Sequence, residues 1–413
     1  MTPRPARLPA YALFAALLAA AGLPIYIHAP KFYVDEYGVS LAALGSVLFG
    51  LRLLDVVQDP LLGRLSERLR DRRGAAVAVG CGVMAVSMFG LFAIEPVLPP
   101  LLWFAVTLTG VFSAFSFLTI CFYAQGVAKA AALPGKGHLA LARWRETGAL
   151  LGVCLASVAP VALGLATGAP FTGYAVGFAL VALAATIAMG PEWRNAGLPP
   201  STGFATVLRD PLARRLLLIA LLNAAPVAVS STLFLFYVES VLDAPGWEGP
   251  LLLLFFLSAA GAAPAWGMLA ERRGAKPVLL AAMVLAILAF GGALFLGPGD
   301  VLPFALVCLF SGAALGADLT LLPAMFATRM AVIAPSAAEG FGLWSFVSKF
   351  TLALAAVTLL PALEGAGFDG MAETNPQASL TLLSLLYAGL PCVLKLAAIG
   401  LLAGTPLGRD GYE

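Results

Sequence analysis

Charge is scarce in this sequence. Asp, Glu, Lys and Arg make up 11% of 413 residues, where soluble domains carry about a quarter. Histidine is nearly absent, with two copies, and the five cysteines (Cys81, Cys121, Cys154, Cys308, Cys392) form no CxxC pair. These shortages exclude a zinc scaffold and a disulfide framework; the cysteines read as small buried apolar residues. The chain also lacks a phosphate-binding Walker loop and an HExxH helix, so neither an enzyme nor a cofactor is expected. No nucleic-acid partner is expected either.

What is abundant is apolar surface, 61% of the residues. A soluble core cannot absorb that much, whereas a bilayer can. Twelve apolar runs each approach the ~20 residues needed to cross ~30 Å of hydrocarbon. They lie near 8–29, 39–62, 75–95, 99–127, 142–165, 170–190, 213–238, 248–270, 276–297, 302–328, 339–363 and 378–404. The expected fold is all-α, twelve transmembrane helices in two pseudo-symmetric six-helix halves. The first run is too long for a signal peptide, and more spans follow it.

Basic residues set the orientation. With the N-terminus inside, Arg4, Arg7, the cluster Arg64 to Arg73, Lys129 to Arg145, Arg194 to Arg215, Arg272 to Lys276, Arg329 and Arg409 all face the cytoplasm. Only Lys31 falls outside, while Arg52, Lys349 and Lys395 lie within spans. Acids such as Asp35, Glu36, Glu239, Asp243, Asp369 and Glu373 fill the outer loops. Both termini are therefore expected in the cytoplasm of a multi-pass protein of the plasma (inner) membrane.

An internal repeat supports two halves. "FYVDEYG" at 32 resembles "FYVESVL" at 236, and "DPLLGRLSE" at 59 resembles "APAWGMLAE" at 263, both at an offset of 204. The expected division is 1–190, a central cytoplasmic loop at 191–212, and 213–413. The repeat also serves as a control. It maps Arg52, Asp55 and Asp59 onto Phe256, Ala259 and Ala263, whereas Pro60 and Gly63 keep their partners Pro264 and Gly267. The fold asks for the proline and glycine twice but does not ask for the charges.

Those charges are costly, ~3 kcal/mol or more each at the bilayer centre, and such residues usually mark ion or substrate pathways. Residues 52, 55 and 59 form a stripe about 60° wide on one helix face. Two carboxylates one turn apart need a proton, a metal cation or a basic partner. Lys349, mid-span in "GLWSFVSKFTLALAAVTLLPAL", is the expected partner, and the set suits one Na⁺ or H⁺. Asp318 either joins these acids or pairs near the inner end. Tyr123 and Gln125 are candidates for lining a polar path. Lys395 reads as a snorkelling residue, His28 as interfacial, and Arg143, Arg145 and Glu146 as topology signals.

The pattern "R-x2-D-x3-D-P-x2-G" with its basic loop resembles the glycoside–pentoside–hexuronide:cation symporters, the melibiose permease group of the major facilitator superfamily. "EGFG" at 339 and the Lys349 stretch resemble the same family. The resemblance implies that Asp55 and Asp59 bind the coupling cation and that Lys349 sits between cation and solute. It implies cation coupling more firmly than sugar. Ala19 stands where the family carries a first-span aspartate, "ICFYAQGVAKAA" lacks its fourth-span acid, and "MFATRM" replaces its acidic tenth-span end.

The expected function is cation-coupled symport of a small sugar, glycoside or sugar acid by alternating access. Arg52, Lys349, Asp318, Tyr123 and Gln125 would serve coupling and solute. The partners are a small-molecule solute, the coupling cation and the bilayer, for a monomer. A lysolipid or amphiphile carrier, or a non-transporting assembly or sensor protein, are the alternatives.

Overall fold

Backbone groups in hydrocarbon must be satisfied within their own segment, so long apolar runs form helices. The computed structural model describes residues 7–130, 133, 136–166, 168–193, 203–368 and 375–406. Arg4, Arg194, Asp369, Glu373 and Arg409, most of the central loop, and the side chain of Lys31 lie outside the described residues. Among the described residues the fold is all-helical. The helices are α1 (Leu8–Ala20), α2 (Leu23–Tyr37), α3 (Leu41–Arg68), α4 (Arg73–Phe92), α5 (Pro100–Ala130), α6 (Gly137–Ala166), α7 (Pro170–Met189) and α8 (Phe204–Arg209). They continue with α9 (Pro211–Phe236), α10 (Glu248–Arg273), α11 (Ala275–Gly292), α12 (Val301–Ile333), α13 (Ala338–Gly365), α14 (Gln377–Ser384) and α15 (Leu390–Ala403).

Ten described helical stretches are long and apolar enough to cross a membrane. The expected spans at 8–29 and 39–62 are not among these ten, and the first differs in its course. It breaks at Ala21–Gly22, where Gly22 leaves helical geometry (φ −97°, ψ −118°) and Pro24 enters the next helix near its start. Proline suits a first turn because its missing N–H has no intrahelical acceptor there. The 13 residues of α1 reach only about 20 Å.

The chain forms two compact units, Met1–Asp210 with Ala327–Phe346, and Pro211–Phe326 with Val347–Glu413. In the first unit, α6 lies directly on α1. A Cβ on Gly148 would stand 2.2 Å from the Ala12 carbonyl oxygen, and one on Gly152 2.5 Å from that of Ala16. Small residues allow this approach, the way membrane helices gain packing energy without a hydrophobic drive. Tyr11, Phe14, Phe122 and Trp193 fill the space beside it, with Phe14–Phe122 and Phe14–Trp193 ring centroids 5.0 and 5.5 Å apart.

In the second unit, Gly312 and Gly316 of α12 seat on α10. Their Cβ atoms would meet the Phe255 carbonyl at 2.2 Å and the Ala259 carbonyl at 2.6 Å. Ala259 and Ala263 are fully buried there. Two π-helical turns, at Tyr237–Val241 and Leu385–Gly389, stack the Tyr237 and Tyr387 rings 4.2 Å apart, and the Tyr237 hydroxyl donates to the Ala293 carbonyl at 2.6 Å. Such turns re-aim side chains by one position and are frequent at functional places.

Candidate functional site

The α3 stripe folds as its spacing requires. Asp55 and Asp59 are buried, at 4% and 0% exposure, and Arg52 is half-buried. Leu53, Leu54 and Val57, on the other faces, are exposed apolar residues that fit lipid contact. Each acid accepts from at least one neutral donor. The Gln58 amide donates to Asp55 Oδ1 at 2.8 Å, and its own oxygen accepts from Ser113 Oγ of α5 at 2.9 Å. Ser345 Oγ donates to Asp59 Oδ2 at 2.5 Å.

That contact is built by two glycines. A Cβ on Gly63 would stand 3.2 Å from the Ala338 carbonyl oxygen, and one on Gly342 would stand 3.2 Å from that of Asp59. The start of α13 therefore crosses α3 in backbone contact inside the first unit. Gly342 is the last residue of the "EGFG" stretch, and Phe341 beside it packs on Tyr123, with centroids 4.9 Å apart. Lys349 lies one helical turn beyond Ser345 on α13, half-buried, in the second unit.

Tyr123 belongs to a buried charged cluster. Its hydroxyl donates to Glu146 Oε1 at 3.2 Å, the Arg145 Nε donates to the same oxygen at 2.6 Å, and the guanidinium lies 3.9 Å above the Tyr123 ring. Arg145 and Glu146 are 4% and 5% exposed. Read from sequence as topology signals, they lie buried within α6. A charge pair this deep is retained only with close partners, which the aromatic face and the phenol supply.

Gln125 is fully buried. Its amide accepts from Arg73 Nη1 at 3.3 Å and donates to the Glu192 carbonyl, and Lys129 pairs with the Glu192 carboxylate at 3.5 Å. Arg73, read from sequence as a loop arginine, is buried at 2% exposure. These groups form one buried polar network where α4, α5 and the turn after α7 meet, although Arg73 Nε and Glu192 Oε2 have no hydrogen-bond partner among the described residues.

Asp318 pairs. Its Oδ2 takes the ammonium of Lys395, which also donates to Asn223 Oδ1 at 2.6 Å, all within the second unit. Lys395 does not snorkel: at 4% exposure it is buried. Sequence reasoning placed it near an interface by counting from the span end. Asn223, 172 positions away, gave no sequence signal that it would partner Lys395. His28 Nε2 donates to the Ser157 carbonyl at 2.9 Å, which fixes the ring between α2 and α6.

No group of three or more His, Cys, Asp or Glu side chains that would hold a metal ion exists among the described residues. A cation at Asp55 and Asp59 would thus draw on two carboxylates and neutral oxygens such as Ser345 Oγ, the hard ligands that suit an alkali ion better than zinc or copper.

Residues 9–409 match the model of the family described as MFS/sugar transport protein. No curated protein sequence matches the chain. Among solved structures, a bacterial homologue of the iron transporter ferroportin in an outward-facing state aligns with TM-score 0.67 and 15% identity, covering 95% of this chain and 99% of that one. The human organic anion transporter MFSD10 (TETRAN) aligns with TM-score 0.63 and 16% identity, covering 94% and 98%. At these identities the two structures speak for the fold alone.

Proposed function

Because the chain belongs to the MFS/sugar transport protein family, a group of multi-pass membrane transporters rather than enzymes, we propose that it is a symporter. Its solute would be a small sugar, glycoside or sugar acid, carried with Na⁺ or H⁺. The observation that carries this reading is the pair Asp55 and Asp59, buried on one face of α3 and dressed by Gln58 and Ser345. Helix packing has no use for two buried carboxylates, because α10 lacks them at Ala259 and Ala263 and folds.

Asp55 and Asp59 take the cation in this reading, and Lys349 links its occupancy to the solute. Neutralising one of two close acids removes their mutual repulsion, so cation binding stabilises one conformation by an amount set by that differential interaction. Arg52, and Arg145 with Tyr123, supply the cationic and hydroxyl groups for the solute. A carboxylate gains charge-assisted pairing with a guanidinium that a neutral sugar does not, which favours a sugar acid over a neutral galactoside. The protein sits in the plasma (inner) membrane with cytoplasmic termini.

The test is uptake into proteoliposomes with imposed Na⁺ or H⁺ gradients, beside binding titrations of neutral sugars, hexuronates and lysolipids. Gradient-driven accumulation of a uronate supports the proposal. Stabilisation by lysolipid alone, with no response to any sugar or gradient, overturns it in favour of an amphiphile carrier.

A further inference from the structure

α8 is only six residues long. A helix that short does not hold itself together, because nucleation costs more than one turn returns. It forms because one face is docked. Val207 is buried at 1% exposure, and Phe204, one turn before it, is half-buried. The Arg64 guanidinium, next to Gly63 on α3, lies 4.9 Å from the centre of the Phe204 ring. Ala205, Leu208 and Arg209 are exposed.

Pro211 then ends the helix. The residue before a proline is pushed into extended backbone, and Asp210 takes that form (φ −71°, ψ 119°). Its carboxylate meets α12. Arg329 Nε donates to Oδ1 at 3.0 Å and Nη2 to Oδ2 at 2.5 Å, a two-pronged pair. With side chains 24% and 12% exposed, it keeps more of its strength than an open surface pair does.

Arg329 is stiffly joined to the start of α13. Residues 334–337, between α12 and α13, are tied by bonds from the Ala334 N–H to the Met330 carbonyl and from the Ala337 N–H to the Ala334 carbonyl, 2.9 and 2.8 Å long. Ala334, Ser336 and Ala337 are buried. α8 therefore has one anchor on α3, at Arg64, and one on the α12–α13 hairpin, at Arg329, all inside the first unit. These are the two elements whose crossing at Gly63 and Gly342 puts Ser345 Oγ on Asp59.

We propose that α8 is a strap that positions the cation site: Phe204 and Asp210 hold the α12–α13 hairpin on α3 and so keep the Ser345 hydroxyl on Asp59. The inference rests on the reading of Asp55 and Asp59 as the cation site. Asp210 and Arg329 are positioning residues, acting through Ser345 by limiting how often the hairpin lifts from α3. A ligand group that is in place for only part of the time weakens the apparent affinity by that fraction.

The experiment uses the full-length protein in nanodiscs, titrated with sodium chloride against choline chloride at constant ionic strength. A pH series, corrected for the intrinsic pH dependence of exchange, covers the proton. Hydrogen exchange read by mass spectrometry follows the hairpin through peptides within 327–346, and ion binding through peptides carrying Asp55 and Asp59. Asp210→Asn is expected to speed exchange in 327–346 about tenfold, the value of one hydrogen bond to a charged group. Exchange in the second unit should stay unchanged, which separates release of the strap from general destabilisation. A hairpin that is off α3 about half of the time raises the half-protecting ion concentration about twofold. Arg329→Gln added to Asp210→Asn should go no further than either alone. In a Ser345→Ala background, Asp210→Asn should still speed hairpin exchange but weaken ion binding no further, because the hydroxyl it positions is gone. Unchanged hairpin exchange in Asp210→Asn, faster exchange with unchanged ion binding, or further weakening in the Ser345→Ala background would each overturn the proposal alone. A wild type whose α3 peptides respond to neither sodium nor pH overturns the reading of Asp55 and Asp59, and this inference with it.

Discussion

Ser345 Oγ and Asp59 Oδ2 are joined at 2.5 Å, across a crossing where Gly63 and Gly342 let two backbones touch. A hydroxyl in this position does two things for a buried carboxylate. It satisfies one lone pair, and its own oxygen remains available as a neutral ligand. A hydroxyl donor, unlike a guanidinium, brings no positive charge of its own to the carboxylate.

Asp59→Asn should reduce gradient-driven solute accumulation to the equilibrium level while the protein stays folded. Asparagine keeps the shape and an acceptor for Ser345 but carries no charge. Accumulation ratios in proteoliposomes decide it, and a mutant that accumulates normally removes Asp59 from coupling.

Ser345→Ala should raise the cation concentration needed for half-maximal uptake by about tenfold, since a hydrogen bond to a charged group is worth roughly 1.5–3 kcal/mol. Ser345→Thr should recover most of the loss. Uptake measured against Na⁺ concentration, and separately against pH, reports the shift for either ion. An unchanged dependence in the alanine variant excludes Ser345 from the site.

Lys395→Met should lower stability by about 3–5 kcal/mol, because it leaves Asp318 charged and buried beside Asn223. Adding Asp318→Asn should restore much of the loss, and thermal unfolding of the purified variants measures both. If the single and double variants unfold at the same temperature, the pair is not coupled in this way.

Gly148→Ala should yield little folded protein. Its Cβ would lie 2.2 Å from the Ala12 carbonyl, an overlap that only a shift of α1 against α6 relieves. Gly177→Ala, with nothing within 4 Å of its Cβ, should be neutral or stabilising by up to ~1 kcal/mol. Size-exclusion profiles of the two variants make the comparison, and equal recovery contradicts the packing described.

Helix content was legible because hydrocarbon leaves the backbone few options, and composition alone reveals the solvent. The burial of Asp55 and Asp59 was legible because their spacing puts both on one face of an apolar span. The break at Gly22 was not, since glycine and proline both occur within unbroken membrane helices; Pro60 and Pro264 are examples. Nor was the burial of Arg73, Arg145 and Lys395. Arg73 and Arg145 lie within a few residues of a span end and Lys395 about two turns from one, where sequence distance cannot tell a chain reaching water from one folded back onto a neighbour. Their partners Gln125, Tyr123 and Asp318 are 52, 22 and 77 positions away, and a single sequence carries no periodic signal across such separations.

Gly312 and Gly316 of α12 touch the α10 backbone. Under the 204-residue offset their counterparts in α5 are Leu108 and Phe112, both buried. Side chains of that size hold helix axes farther apart than glycine does. The halves of a duplicated chain have thus become unequal by a few heavy atoms per contact, and the inequality acts as a ratchet. Ala259 and Ala263 are fully buried where α12 lies on the α10 backbone, so an acid at either has to displace its neighbours. Any engineering that would bury acids on α10 must therefore also reseat α12, one helix away from where the new charges would go.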